Sequence, residues 1–227
     1  MTIFIVVGIL LGLLILALLY RTNNSPVKSS RNIDSSFPPQ NQNWSEVEKE
    51  VISEHNQVRQ EPKSYIPLME NWLEQMDKKG RVPINSNTYL RTAEGRKAVK
   101  EAIAFLNKQP ALPPLKWSNG LAKAAKDHAE SQRRGATGHK GSDGSKPIER
   151  GQRYGEPEGY AENLAYGETT AQRIVMSLII DDGVPKRGHR TNIFYPELRY
   201  AGAGCSEHDR YGSVCVINYA FNYTSRI

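Results

Sequence analysis

The chain has 227 residues, 38% of them hydrophobic, with 30 basic against 24 acidic side chains and a formal charge of +6. That length suits one domain of ordinary size with an appended segment. The basic excess is modest and scattered, and no helix-turn-helix, zinc-finger or RNA-binding motif accompanies it, so nucleic acid is not indicated as a partner.

Residues 3–19 are uncharged and rich in Leu, Ile and Val. As a helix rising about 1.5 Å per residue they reach roughly 25 Å, just short of a bilayer core. Residues 1–20 therefore read as an N-terminal hydrophobic helix, either a transmembrane anchor or an uncleaved signal segment. A cleavable signal has a basic start and small residues before the cut, whereas this segment opens Met1-Thr2 and closes Ala17-Leu18-Leu19-Tyr20. Arg21, Lys28 and Arg31 follow it, and the positive-inside rule taken literally would keep the remainder in the cytoplasm. Residues 21–43, with Ser29-Ser30, Pro38-Pro39 and many Asn and Gln, have few large apolar groups to bury and read as a flexible stalk. Residues 44–227 are left as the folded domain. Glycosylation acceptor patterns begin at Asn23, Asn43 and Asn222, and matter only in a secretory lumen.

A helix is predicted over 45–59, where Ser45-Glu46-Val47-Glu48 has the order of a capping box and Val47, Val51, His55 and Val58 share a face. Residues 62–76 and 92–108 have helical spacing, the second with Ala98, Ala102 and Phe105 on one side. Pro110, Pro113 and Pro114 force an extended connection. Ser118 begins another helix, with Leu121, Ala125, His128 and Ala129 on one face and a stop near Gly135. The last helix covers 169–180. Strand character follows at 199–205 and 213–221, joined by a polar stretch suited to a hairpin. The two cysteines, Cys205 and Cys215, lie in these strands. Facing each other they would form a disulfide, which persists in an oxidising compartment and opposes the cytoplasmic orientation; reduced core thiols fit the apolar pattern equally.

Residues suited to chemistry cluster between these elements, at Gly138-His139, Glu162-Asn163 and Gly188-His189-Arg190. Two neutral imidazoles and a carboxylate suit a zinc-like divalent ion with an open position. A carboxylate can equally fix a histidine tautomer for acid–base work. No single helix spans the three, so spacing alone does not assemble them. His55 and His128 read as structural hydrogen-bonding groups, and Arg133-Arg134 and Lys186-Arg187 with Arg190 as solvated faces.

His55-Asn56-Gln57-Val58-Arg59, Leu115-Lys116-Trp117-Ser118, Gly138-His139 with Ser142-Asp143-Gly144-Ser145, Glu162-Asn163-Leu164-Ala165-Tyr166-Gly167 and Gly188-His189-Arg190-Thr191-Asn192 occur in that order. In this order they resemble the CAP or SCP domain, the family of cysteine-rich secretory proteins, antigen 5 and pathogenesis-related proteins. The resemblance implies an α+β fold, a three-layer α-β-α sandwich whose cleft gathers two histidines and nearby acids. His139, Glu162 and His189 match those cleft positions. Many animal members carry Trp-Tyr-x-Glu before the second histidine, where this chain reads Leu178-Ile179-Ile180-Asp181-Asp182. The fourth cleft acid is thus Asp181 or Asp182, unless both only cap the turn toward Pro185. Asn163 is expected to orient loops through its amide.

Three functions fit. The first is a membrane-anchored or secreted binding protein, in an extracellular or secretory-pathway setting, with a divalent metal such as zinc on His139 and His189. As the resemblance implies, its apolar surfaces would take a sterol or other lipid. The second is a metal-dependent hydrolase or peptidase using the same cleft, since no Ser or Cys nucleophile stands in a recognisable setting. The third is a purely structural cell-surface interaction domain.

Overall fold

A computed structural model describes residues 42–85 and 88–226. The N-terminal hydrophobic helix, nearly all of the stalk and the Asn23 acceptor lie outside the described residues. In chain order the elements are α1 (Trp44–Gln60), a 3-10 turn (Pro62–Tyr65), α2 (Ile66–Gln75), β1 (Arg81–Asn85), β2 (Thr88–Arg91), α3 (Arg96–Lys108), β3 (Lys116–Trp117), α4 (Asn119–Gln132) and α5 (Pro147–Gln152). They continue with β4 (Gly155–Glu158), β5 (Ala161–Tyr166), α6 (Ala171–Ile180), α7 (Gly188–Ile193), β6 (Tyr200–His208), β7 (Gly212–Ala220) and β8 (Asn222–Ser225). The fold is mixed α+β. Among the described residues no helix is long and apolar enough to cross a membrane.

The central sheet has the order β3-β6-β7-β5, with β6 antiparallel to β7 and β7 to β5. Side chains alternate between the faces of a strand, and the two faces meet different helices. Ala201, Ala203, Cys205, Ile217 and Tyr219 join the large core built with α1, α3 and α6. Leu164, Val214 and Val216 pack on Ala125 and Ala129 of α4. Gly202 and Gly204 belong to this second face, where a Cβ would come within 2.2 Å of the backbone nitrogens of Ala122 and Lys126. Their bare backbone lets α4 lie directly on the strand. Because helices cover both faces, β7 is buried along nearly its whole length and reads as an apolar run rather than an alternation.

Cys205 and Cys215 stand opposite each other in the β6–β7 register and are joined by a disulfide, so they are not reduced core thiols. β3 pairs only with Tyr200 and Ala201, so β6 beyond Ala201 has no strand on that side among the described residues. Side chains fill the gap: the Cys205 N–H donates to Glu48 Oε1 at 2.8 Å, and Lys126 Nζ donates to the Cys205 carbonyl at 2.6 Å.

Several boundaries differ from the sequence expectation for local reasons. α1 begins at Trp44 with Asn43 at its cap position, and the Asn43 amide donates to Glu46 at 3.3 Å, so Ser45 does not cap it. The helix expected at 92–108 starts at Arg96, because the Asp182 carboxylate holds the N–H groups of Ala93 and Glu94 at 2.5 and 2.7 Å. The strand expected at 199–205 runs on to His208, and the turn is shortened to residues 209–211. The Asp209 N–H donates to the Arg133 carbonyl at 2.9 Å and fixes that turn to the end of α4.

Candidate functional site

The site straddles β5, the outer strand on the side of the sheet away from β3. Alternation along β5 sends Glu162 toward α4 and Asn163 toward α1. On the α4 side, Glu162 Oε1 lies 2.9 Å from His139 Nδ1, and Oε2 accepts from Arg150 Nη2 at 2.7 Å. Arg150 also donates to the carbonyls of His139 and Ser145 at 3.1 and 2.9 Å, fastening the glycine-rich loop to the strand. The Glu162 and Arg150 side chains are 1% and 2% exposed, whereas His139 is half-exposed. His128 of α4 lies 3.9 Å from Glu162 Oε1, and burial holds its pKa below the usual imidazole value. The loop's start is held by Gln132 and Tyr166, which bond the Gly138 carbonyl and N–H at 2.7 and 2.9 Å.

On the other side of β5 stands a second imidazole–carboxylate pair. Asp181 closes α6 with a left-handed backbone, φ 54°. Its Oδ1 is 2.6 Å from His189 Nδ1 and its Oδ2 accepts the His189 N–H at 2.9 Å. Asp182 turns away to the loop before α3, where burial raises its carboxyl above the usual range. Of the two acids considered for the cleft, Asp181 meets His189 and Asp182 does not. Nor does Glu162 meet both imidazoles, since each histidine has its own acid.

Asparagines join the pairs. Asn163 Nδ2 donates to the His189 carbonyl at 3.0 Å, and Asn192 Nδ2 donates to Asn163 Oδ1 at 2.8 Å. The Asn163 amide also donates to the Tyr219 hydroxyl at 3.2 Å, which lies 2.7 Å from His55 Nε2. His55 Nδ1 sits 2.6 Å from the Val51 carbonyl, which only accepts, so Nδ1 carries the proton and Tyr219 donates to Nε2. Complete burial lowers the His55 pKa to about 4. His55 and His128 are thus both buried and hydrogen-bonded.

Of the basic cluster at 186–190, Lys186 is exposed, but Arg187 and Arg190 are not a solvated face. Arg187 pairs with Glu94 and Glu101 of the segment leading into and forming α3, and Arg190, 3% exposed, donates to the Ile179 and Ile180 carbonyls at 2.6 and 3.1 Å. The Arg187 bonds, followed by those of Arg190, pull the Glu101 carboxyl down to about 2. This clamp fixes the backbone that carries Asp181 and His189.

Sequence reasoning passed over Arg150, whose site contact carries no spacing signal in a chain with 30 basic residues. His128 is buried and hydrogen-bonded, as expected of it, and also lies 3.9 Å from Glu162 Oε1. An ionised carboxylate only accepts, so the neutral form of His139 or His189 donates from Nδ1 and has its lone pair on Nε2. Nothing among the described residues hydrogen-bonds either Nε2. That is the usual second contact of a metal-binding imidazole. The carboxylate oxygens are already engaged, and among the described residues no group of three or more His, Cys, Asp and Glu side chains is disposed to hold an ion. Two imidazole nitrogens with no third free donor among the described residues do not make a closed structural zinc centre.

The family profile described as CAP, the cysteine-rich secretory protein family, matches residues 52–219. The chain belongs to this family. No curated protein matches it. Among solved structures it is similar to an extracellular protein containing a SCP domain from Bacillus anthracis str. Ames, at 19% identity and TM-score 0.40, over 48% of this chain and 34% of that one. This chain therefore spans about a third of that Bacillus protein's length. It is also similar to an outer surface protein from Borrelia burgdorferi, at 19% identity and TM-score 0.40, over 55% and 92% of the respective chains. A third similar structure is BmVAL-1, at 13% identity and TM-score 0.34, over 80% of each chain.

Proposed function

We propose that the chain is a CAP-family binding module of an oxidising, extracellular or secretory-pathway compartment. Its cleft takes a divalent cation such as zinc on the Nε2 atoms of His139 and His189. The observation that carries this reading is the pair of imidazoles each held at Nδ1 by a buried carboxylate, Glu162 and Asp181. When bound, the cation would supply a Lewis-acid contact for an oxygen of the module's ligand. Glu162 and Asp181 fix the ring tautomers, and Arg150 and the Asn163–Asn192 pair hold the two loops in place. The disulfide supports the compartment, since such bonds persist where thiols are not kept reduced. The polar groups around the two imidazoles favour the cation over a sterol or other lipid as the ligand: Tyr89 and Trp117 are the exposed large hydrophobic residues among those described, and they are single rather than a patch.

Calorimetric titration of the purified protein with zinc chloride tests the proposal. The parent is expected to bind, and His139→Ala and His189→Ala are each expected to weaken uptake by tenfold or more, in the range for loss of a ligand or its support. Uptake unchanged in the double variant, with its melting temperature preserved, would sink the assignment. A peptidase assay with and without zinc separates binding from hydrolysis.

A further inference from the structure

A groove of about 420 Å³ lies between α2, the β1–β2 hairpin and the segment entering α6. It is at the end of α6 opposite Asp181, roughly 14 Å along the helix at about 1.5 Å per residue. The cleft above does not include it. Trp72, Leu90 and Met176 give it an apolar floor, and Asn71, Gln75 and Gln172 stand exposed at its rim.

The groove's charged side chains cancel each other. Arg173 donates to both oxygens of Glu168, at 3.1 Å from Nε and 2.9 Å from Nη2, while its guanidinium stacks 3.8 Å from the centre of the Trp72 ring. The Glu168 side chain is only 16% exposed, and burial raises its carboxyl above the usual range. The fork is therefore partly shielded from water as well as stacked, and it presents a fixed planar group. A charged ligand would find no free counter-charge here. A plain hydrocarbon would cover the rim amides without pairing them, which is costly for each group left dry. The complementary molecule has hydroxyls that both donate and accept, apolar C–H faces for the floor, and no net charge. Its size suits a cavity within the roughly 300–1,000 Å³ range of small-ligand sites.

We propose that this groove binds a short neutral oligosaccharide, with sugar hydroxyls on the rim amides and a ring face on the platform that Trp72 and the Arg173 guanidinium stacked on it form together. The proposal is independent of cation binding in the histidine cleft.

Saturation-transfer NMR and calorimetry of the full-length protein with maltotriose, cellotriose and chitotriose test it. At least one trisaccharide is expected to show transfer. The double variant Asn71→Lys and Gln75→Lys is expected to weaken it at least tenfold. Both positions are exposed, so an unchanged melting temperature verifies the fold. Trp72→Leu should weaken binding similarly, and His139→Ala should leave it as in the parent. The proposal is overturned by absence of transfer from all three sugars, by transfer that survives the double variant, or by loss of binding in His139→Ala. Tighter binding of glucuronate or hexanoate than of any neutral trisaccharide would overturn it as well.

Discussion

Arg150 and Glu162 meet where neither reaches bulk water, their side chains 2% and 1% exposed. Removing one partner of such a pair leaves an uncompensated charge in the interior, which costs about 3–5 kcal/mol. Arg150→Met should therefore lower the free energy of unfolding by about that much, and adding Glu162→Gln should restore part of the loss. Urea unfolding of the two single variants and the double variant measures both effects; a double variant no better than Arg150→Met would show that the charge is not the cause. His55 makes a different prediction. Its folded pKa of about 4 lies below the unfolded value of 6.5. Above the unfolded value both states are neutral and the contribution is complete. As pH falls through the window between them, the unfolded chain takes up a proton that the folded chain refuses, and about 3 kcal/mol of stability is lost. Chemical unfolding followed from neutral to acid pH should show a steeper loss in the parent than in His55→Gln, which keeps only the slope from His128 and the other titrating groups.

Among the elements, α4 is set by two missing side chains on β6. Gly204→Ala would drive a Cβ to 2.2 Å from the Lys126 backbone nitrogen. Backbone cannot swing aside as a side-chain tip does, so the substitution should destabilise by about 3 kcal/mol, at the upper end of overpacking costs. A melting curve matching the parent's would show that α4 shifts freely. The same packing explains which elements were legible in the sequence. α1 and α4 each bury one face, so their 3.6-residue spacing is plain, whereas α6 is buried nearly all round and reads as an apolar run. The β1–β2 hairpin carries no such signal, because Pro83 interrupts the first strand and the charged residues Arg81 and Arg91 flank the pair. β5 reads as a loop because Glu162 and Asn163 place polar side chains on both of its faces, where an ordinary strand would put one apolar set. The site's needs erased the local pattern there. His139, Glu162 and His189 were therefore visible only as ordered motifs, Asp181 as one of two alternatives, and Arg150 not at all.

At the scale of the whole molecule, the disulfide ties the long hairpin at the centre of the sheet, with a sequence separation of 10. The loop-entropy relation gives about 2–3 kcal/mol for so short a closure. Replacing both Cys205 and Cys215 by Ser should lower the melting temperature accordingly while far-ultraviolet circular dichroism stays native. An unfolded double variant, or one with unchanged stability, would contradict that estimate. The bond also gives the central hairpin a stability suited to a space without reducing chaperones, in agreement with the proposed compartment.

Beside that bond, the outward backbone groups of Cys205 are occupied by Glu48 and Lys126, not by another strand. An open strand margin is where identical copies zip into fibrils, and a carboxylate and an ammonium seated on it act as gatekeepers against such growth. At Cys205 the margin therefore offers an incoming strand neither a free donor nor a free acceptor.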